Sequence, residues 1–305
     1  AYDIRMNTRR LSALLMTLSA MGVIPIVRGV KIIKQSYKQL ERYQVKTADL
    51  SYGRMTYVDQ GSGETLLALH GIFGGYDQGY ELGVNCGFPG RVIAPSRFGY
   101  LGSDVSGQGT PKEQARALVE LLDYSGVDKT FVIGGSAGGT HAIRLALDFP
   151  ERVKGVILYS SRMPLPKRPT KPMQYKYMGP PKFICNDIAM YLLSPVVAMM
   201  TSTPLHSVTS ILPIEKRKAG AYIDSVISNP DMAKNFDDYR IESLTVPVLI
   251  FSAMDDRLIK FTDVEKVIRR FPNKVFVPFE NGGHLIVGHD VEIHNTVNEF
   301  IARYR

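Results

Sequence analysis

A serine lies at the centre of residues Gly134–Gly138, which read Gly-Gly-Ser-Ala-Gly and match the pattern G-x-S-x-G. The residues before it, Thr130–Ile133, predict a strand, and those after it, Ala137–Phe149, predict a helix. A strand that turns directly into a helix forces the central residue into strained dihedrals, and only very small residues two positions away leave room. Gly134 and Gly138 meet this need, so the pattern favours Ser136 as a nucleophile over a structural Gly-rich turn.

A serine hydroxyl is a poor nucleophile alone and needs a base that an acid holds in place. Of the six histidines, His284 is the best candidate base, because it follows a Gly-Gly pair between a predicted strand and the last predicted helix. Asp255 and Asp256 follow the predicted strand Val246–Phe251. Catalytic groups gather at the carboxyl ends of strands in open α/β sheets. The chain order serine, aspartate, histidine is therefore complete, with either aspartate as the acid.

The elements that must position these residues alternate short apolar strands with helices. Apolar strands of this length, each followed by a helix, are typical of a mostly parallel sheet covered on both faces. We predict strands at Tyr43–Thr47, Arg54–Asp59, Leu66–Leu69, Arg91–Pro95, Thr130–Ile133, Val153–Tyr159, Val246–Phe251 and Lys274–Val277, and helices at about Thr110–Ser125, Ala137–Phe149, Thr262–Phe271 and Asp290–Arg303.

Residues 161–245 break this alternation. Arg162–Pro181 contains six prolines and predicts an irregular connector. Ile188–Ile214 is uncharged apart from His206, but three prolines within it argue against a membrane span. We therefore predict a helical cap (161–245) inserted into an α/β core made of residues 43–160 and 246–305, with residues 1–42 as a separate amino-terminal segment.

These pieces together resemble the α/β-hydrolase family over about residues 43–303. The matching segments are His70–Gly75, Pro95–Ser103, the serine pentapeptide, Asp-Asp-Arg and Gly-Gly-His. The family's acid loop usually reads Gly-x-x-Asp, and Ala253–Asp256 fits with Ala in place of Gly. The resemblance thus implies Asp256 as the acid, with Asp255 as the runner-up, and Ser136 and His284 as its catalytic partners.

The resemblance also implies an oxyanion hole built from two backbone N–H groups. One belongs to Ala137, after the nucleophile, and the other to Ile72, after the His-Gly pair that ends in Gly71. Two fixed donors at a developing oxyanion supply several kcal/mol, about 3 for each. The family often has Asp where this chain has Ser96, and we attach no functional consequence to this difference.

A serine nucleophile suits acyl transfer, and a carboxylate in its place would suit epoxide hydrolysis or dehalogenation. We expect a serine esterase or lipase-like enzyme that acts on an apolar or amphiphilic ester through an acyl-enzyme, with no metal or cofactor. An alternative is another acyl-transfer or carbon–carbon bond hydrolase with the same triad. An alternative of another class is a non-catalytic, membrane-bound binding module on a hydrolase fold.

The net charge of +8 is concentrated at the amino terminus. Residues 1–42 carry +6 and the remaining 263 residues only +2, so nucleic-acid binding is not expected. Residues 11–27 are 17 uncharged residues flanked by basic ones. We predict an uncleaved membrane anchor, followed by a basic helix (Arg28–Arg42) on anionic headgroups. The alternatives are a signal peptide, cleaved on secretion, and an extra helix packed on the domain.

Overall fold

The computed structural model of the chain describes residues 26–171 and 176–305. Its strands are β1 (Val45–Leu50), β2 (Gly53–Gln60), β3 (Thr65–Leu69), β4 (Arg91–Pro95), β5 (Thr130–Gly135), β6 (Val153–Tyr159), β7 (Val248–Ala253) and β8 (Lys274–Phe279). They form one sheet in the order β1-β2-β4-β3-β5-β6-β7-β8, in which β2 runs opposite to the other seven strands. The predicted α/β class with a mostly parallel sheet is confirmed.

Helices cover both faces of this sheet, and four more form the cap. The helices are α1 (residues 26–40), α2 (Tyr76–Asn85), α3 (Pro111–Tyr124), α4 (Gly138–Asp148), α5 (Asp187–Thr201), α6 (Leu205–Ser210), α7 (Lys218–Ile223), α8 (Asn229–Lys234), α9 (Phe261–Val267) and α10 (Asp290–Tyr304). Helices α3, α4 and α9 pack on one face of the sheet, and α2 and α10 on the other.

Strand β3 shows how the sheet feeds two cores. Leu67 and Leu69 point into the cluster beneath α3 and α4, whereas Leu66 and Ala68 point into the cluster beneath α10. Successive side chains of a strand alternate between faces, so a strand that is apolar throughout is buried on both sides. Burial on both faces is therefore the reason for the continuous apolar run that predicted this strand.

Helix α2 escapes prediction from local sequence, because two glycines in its interior weaken the helical pattern. A Cβ at Gly79 would lie 2.7 Å from the Ala68 carbonyl oxygen, and one at Gly83 would lie 2.8 Å from Val92 Cγ1. The two glycines therefore let α2 approach the sheet closely. The need for glycine at these two positions comes from tertiary packing, which a local sequence pattern does not reveal.

The cap helices α5–α8 lie between β6 and β7 and have an apolar cluster of their own. A π-helical turn, Asp224–Ser228, joins α7 to α8. Helix α1 packs on this cap: Gly29 lies against the Tyr191 ring, and the Tyr37 hydroxyl donates to Asp187 Oδ2 at 3.0 Å.

The predicted membrane anchor falls mostly on residues 11–25, which lie outside the described residues. Within the two described ranges, no helix combines the length and apolar character needed to cross a bilayer. The predicted basic helix Arg28–Arg42 corresponds to helical residues 26–40.

Candidate active site

Four loops at the carboxyl edge of the sheet bring the predicted site residues to the same edge. Gly71 and Ile72 follow β3, and Ser136 follows the adjacent strand β5. Asp256 follows β7 and His284 follows β8, again adjacent strands. Parallel strands that end together at one edge place these four loops around one space.

Ser136 occupies a sharp turn between β5 and α4. Its φ of 49° is left-handed, a strained conformation for a non-glycine residue. A Cβ at Gly134 would lie 2.8 Å from the Gly138 carbonyl oxygen, and one at Gly138 would lie 2.3 Å from the Leu69 carbonyl oxygen. Both glycines are therefore required by close backbone approach, as the pentapeptide pattern predicts.

The acid and the histidine are hydrogen-bonded to each other. His284 Nδ1 lies 2.8 Å from Asp256 Oδ2, and the Asp256 side chain is fully buried. The second carboxylate oxygen, Asp256 Oδ1, accepts from the Leu258 and Ile259 backbone N–H groups at 2.8 and 3.0 Å. The carboxylate is thus fixed on both oxygens, and the imidazole bound to it leaves Nε2 for another partner.

The neighbouring Asp255 has a different task. Its Oδ1 accepts from the Gly283 backbone N–H at 2.8 Å, so it holds the loop that carries His284 and does not touch the imidazole. The structure therefore pairs His284 with Asp256, whereas Asp255 contacts only the backbone of the loop that carries His284.

The cap contacts the loop that carries His284 and the loop that carries Asp256. A Cβ at Gly283, where φ is 63°, would lie 2.0 Å from the Ser202 carbonyl oxygen just after α5. On the acid loop, Arg257 Nη1 donates to the Met199 carbonyl oxygen at 2.8 Å. The end of α5 therefore lies directly beside the loops that carry His284 and Asp256.

The nucleophile and the histidine are not hydrogen-bonded to each other in this structure. Among the described residues, no partner is found for the Ser136 hydroxyl, nor for the Ile72 and Ala137 backbone N–H groups. A Cβ at Gly71 would lie 3.2 Å from Ser136 Cβ, so the loop that carries Ile72 passes beside the nucleophile. Catalytic hydrogen bonds are often long in the absence of substrate. The two predicted oxyanion donors are free to bind a substrate oxygen.

A buried polar network lies beneath this loop, and sequence reasoning missed it. Arg97 donates to Asp224 through Nη1 at 2.6 Å and Nη2 at 2.7 Å, and the Tyr100 hydroxyl donates to Asp224 Oδ2 at 2.6 Å. Both members of the ion pair are almost fully buried. Arg97 lies in a recognised family segment, but its partner in the cap is 127 residues away and has no local signal.

The same arginine holds the proposed oxyanion loop. Arg97 Nε donates to the His70 carbonyl oxygen at 3.1 Å, and Nη2 donates to the Gly71 carbonyl oxygen at 3.2 Å. His70 Nε2 accepts from the Arg97 backbone N–H, so its Nδ1 carries the proton and donates to the Gly71 carbonyl oxygen at 2.7 Å. The Gly71 carbonyl and the Ile72 N–H belong to one planar peptide, so fixing the first fixes the second.

Both histidines of the network are neutral. Burial and the Arg97 charge lower the pKa of His70 well below its usual range and that of His141 to about 4. His141 Nε2 accepts from Arg97 Nη1 at 2.8 Å. Burial is the largest single influence and raises the pKa of Asp224, but the charge and hydrogen bonds of Arg97 together with the neighbouring His141 outweigh it and hold the pKa well below its ordinary value.

A second buried ion pair joins cap and core near this network. Arg217, from the cap, donates to Asp77 of α2 through Nη1 at 2.9 Å and Nη2 at 2.6 Å.

Within the described ranges, no group of three or more His, Cys, Asp or Glu side chains is arranged to hold a metal ion.

Comparisons with known proteins identify the family to which the chain is similar. The family model of the alpha/beta hydrolase fold matches residues 64–183. A 2-hydroxy-6-oxononadienedioate/2-hydroxy-6-oxononatrienedioate hydrolase from Dechloromonas aromatica (strain RCB) is 30% identical over 260 residues, which cover 79% of this chain and 87% of the relative.

Solved structures show the same fold. An alpha/beta hydrolase fold protein from Nakamurella multipartita matches with a TM-score of 0.66 at 21% identity, over 84% of this chain and 98% of its own. A thermophilic esterase from Thermogutta terrifontis matches with a TM-score of 0.65 at 19% identity, over 86% of this chain and 99% of its own. From its sheet, its serine turn and these relatives, the chain belongs to the α/β-hydrolase fold family.

Proposed function

We propose that this protein is a serine hydrolase that cleaves carboxylic esters of apolar or amphiphilic compounds through an acyl-enzyme. One observation carries the proposal: a strained serine shares the carboxyl edge of the sheet with a buried, hydrogen-bonded His284–Asp256 pair. This is the constellation that activates a serine hydroxyl for attack on a carbonyl carbon.

In the proposed reaction, Ser136 Oγ attacks the ester carbonyl carbon while His284 Nε2 accepts the hydroxyl proton. Asp256 orients the imidazole and stabilises its charged form. The Ile72 and Ala137 backbone N–H groups donate to the oxyanion of the tetrahedral intermediate. His284 then protonates the leaving alcohol, and a water molecule, activated by the same histidine, releases the acid and restores the serine.

Before attack, the Ser136 side chain has to come within hydrogen-bonding distance of His284 Nε2, because no hydrogen bond between the two is present in the structure. The backbone around Ser136 is fixed: its N–H donates to the Tyr159 carbonyl oxygen, and its carbonyl oxygen accepts from the Gly139 and Arg162 N–H groups. Because the backbone is held, rotation about the serine Cα–Cβ bond is the movement open to the hydroxyl.

A second candidate, carbon–carbon bond hydrolysis with the same triad, is favoured by the name of the Dechloromonas relative. The substrate in that name is a dicarboxylate, which calls for cationic groups in the site. The two most buried arginines here, Arg97 and Arg217, are each neutralised by an aspartate on both Nη groups. Neither of these two guanidinium groups is therefore available to a substrate carboxylate, and for this reason we rank the ester first. Rates on a p-nitrophenyl ester and on a 2-hydroxy-6-oxo-dienoate, measured side by side, decide between the candidates.

Labelling with a fluorophosphonate tests the nucleophile. We expect wild-type protein and the control Ser210→Ala, a substitution on the cap surface, to take up one label for each chain. Ser136→Ala should take up none. Failure of the wild-type protein to react would favour the non-catalytic binding module, and labelling of Ser136→Ala would assign the nucleophile elsewhere.

The acid and the base have matched neighbours as controls. Asp256→Asn and His284→Ala should lower kcat by several orders of magnitude, because a triad acts as a unit. Asp255→Asn loosens only the loop contact at Gly283, and His289→Ala removes a half-buried imidazole five positions beyond the base, so both should keep most of the activity. A larger loss in Asp255→Asn than in Asp256→Asn would reverse the assignment of the acid.

We also propose that the amino-terminal segment associates the enzyme with a membrane. The uncharged run of residues 11–27 and its basic flanks support this. Deletion of residues 1–25 retains α1, whose contacts with the cap include the Tyr37–Asp187 hydrogen bond. The truncated protein should become extractable from the membrane fraction by high salt, which the full-length protein resists, and should keep its activity on a short-chain ester. If the protein is expressed at full length and then recovered from the medium without these residues, secretion after cleavage would be indicated instead.

A further inference from the structure

The cap helix α5 is apolar on the side that faces the protein and on the side that faces away from it. Its inward residues, Met190, Leu193 and Val197 among them, pack into the apolar cluster of the cap. Its outward residues are also apolar, and helices that are apolar all round are normally buried in a protein or in lipid. The outward side of α5 therefore requires an explanation.

The outward residues form one continuous stripe. They recur at helical spacing, are each 46–66% exposed, and comprise Ile188, Leu192, Val196, Met199 and Met200. Isolated exposed apolar residues are ordinary, but a contiguous stripe of five over the length of a helix is typical of an interaction surface.

The stripe continues beyond the ends of α5 and onto α1. Phe183 precedes α5 and Leu205 follows it, and both are exposed. On α1, Gly29 packs on Tyr191 of α5, and the exposed Ile26 and Val30 lie within one turn of Gly29. We call this surface the cap apolar face; it consists of Ile26, Val27, Val30, Phe183, Ile188, Leu192, Val196, Met199, Met200 and Leu205.

The charges around the cap apolar face are basic. Helix α1 carries four exposed basic residues, Arg28, Lys31, Lys34 and Lys38, and no acidic residue. The single acid of α5, Asp187, is buried, and its carboxylate accepts from the Tyr37 hydroxyl and the Ile214 backbone N–H. An apolar surface beside cationic side chains is complementary to a layer of acyl chains beneath anionic headgroups.

We propose that the cap apolar face docks onto the surface of an anionic phospholipid bilayer. Its apolar side chains enter the boundary between headgroups and acyl chains, and the basic residues of α1 lie among the headgroups. In the sequence, the uncharged run of residues 11–27 ends within this face, at Ile26 and Val27. The proposal concerns binding and does not depend on which bond the enzyme cleaves.

Docking in this orientation brings the candidate active site to the membrane. The carboxyl end of α5 contacts the histidine loop through Ser202 and Gly283, and the acid loop through Met199 and Arg257. The end of the docked helix is therefore adjacent to both catalytic loops. A substrate leaving the bilayer would have a short path to them.

The absence of tryptophan from the chain allows a direct test, because one introduced indole is the only one present. Leu192→Trp places it on the cap apolar face. Tyr124→Trp places a control at another exposed site, at the end of α3, which leads into the amino end of β5 and so lies at the edge of the sheet opposite the cap. Both full-length variants are reconstituted into vesicles of phosphatidylcholine and phosphatidylglycerol, with and without bromine on the acyl chains.

We expect the Leu192→Trp emission to be blue-shifted and largely quenched by brominated lipid, and the Tyr124→Trp emission to be unaffected. Replacing phosphatidylglycerol by phosphatidylcholine should weaken the quenching at Leu192→Trp, because the headgroup charge is lost. Met200→Trp, further along the stripe, gives the same reading if Leu192→Trp folds poorly by circular dichroism.

Two results would overturn the proposal. An emission that stays at the wavelength of exposed indole would show that the face remains in water. A blue-shifted emission that brominated lipid does not quench would show that protein covers the face, either a second copy or residues 11–25 of the same chain. Cross-linking of the single-Trp variants then separates these two occupants.

Discussion

Two buried arginine–aspartate ion pairs join the cap to the core, and we call them the two clasps. The arginine belongs to the core in the first clasp and to the cap in the second. In one, a core arginine, Arg97, reaches Asp224 in the cap; in the other, a cap arginine, Arg217, reaches Asp77 in the core. Both are bidentate and both are buried. Their geometry as ion pairs is nearly the same, so any difference in their effect must come from what else each arginine holds.

The difference lies in the contacts of the two guanidinium groups with the backbone. Arg97 also donates to the His70 and Gly71 carbonyl oxygens, and so fixes the peptide that carries the Ile72 N–H. Arg217 has only a long 3.5 Å contact with the Leu212 carbonyl oxygen, and its Nε has no partner among the described residues. The first clasp therefore couples the seating of the cap to the proposed oxyanion hole, whereas the second only seats the cap.

The largest expected effect is that of Arg97→Met. Removing one partner of a buried ion pair leaves an uncompensated charge, which costs about 3–5 kcal/mol of unfolding free energy. The Gly71–Ile72 peptide also loses one of its donors, Arg97 Nη2 at 3.2 Å, and a small displacement of the proposed oxyanion donor lowers the rate by about 10- to 100-fold. Urea unfolding measures the first effect, and ester turnover for each fluorophosphonate-reactive site measures the second. An unchanged turnover would show that the Gly71 contact is not needed.

Arg217→Met is the matched substitution and should separate the two effects. It leaves Asp77 without its partner, so we expect a similar loss of about 3–5 kcal/mol in unfolding free energy. Turnover for each reactive site should remain close to that of the wild-type protein, because no bond to the oxyanion loop is lost. A fall in turnover equal to that of Arg97→Met would mean that seating of the cap, and not the Gly71 peptide, controls the rate.

The contrast between the clasps also shows what the sequence could reveal. The sharp turn at Ser136, the candidate acid after β7 and the candidate histidine after β8 follow from local patterns at strand ends, and the strand positions were predictable from apolar runs. The Arg97–Asp224 pair joins residues 127 positions apart, one of them in a π-helical turn, and no local pattern encodes it. Helix α2 was missed for a related reason, since Gly79 is explained only by the sheet beneath it.

A smaller effect, on the pH dependence of stability, should belong to the first clasp alone. Burial and Arg97 lower the pKa of His141 to about 4, below the ordinary 6.5, so the unfolded chain binds this proton more readily than the folded one. The folded state should therefore lose stability as the pH falls from about 6.5 towards 4. His141→Gln should flatten part of the fall in the urea midpoint between about pH 7 and pH 5, where ordinary carboxyl groups do not yet titrate.

His206→Gln provides the control for this experiment, since His206 lies on the cap surface. It should leave the pH dependence of the urea midpoint as in the wild-type protein. His70 shares the burial and the neighbouring charge of His141, so its own contribution should persist in His141→Gln. An unaltered pH profile in His141→Gln would show that the network does not exclude the proton.

The smallest expected effect, that of Tyr100→Phe, probes whether the network acts as a whole or through one bond. The variant removes the 2.6 Å hydrogen bond to Asp224 Oδ2, but Arg97 Nη2 still donates to the same oxygen, so no charge is orphaned. We expect a loss of about 2 kcal/mol in unfolding free energy and an unchanged turnover, because Arg97 still holds the Gly71 carbonyl oxygen. Tyr222→Phe, on the exposed side of α7, should change neither quantity. If Tyr100→Phe slowed turnover as much as Arg97→Met, the rate would depend on the position of Asp224, and hence of the cap, and the distinction between the two clasps would not hold.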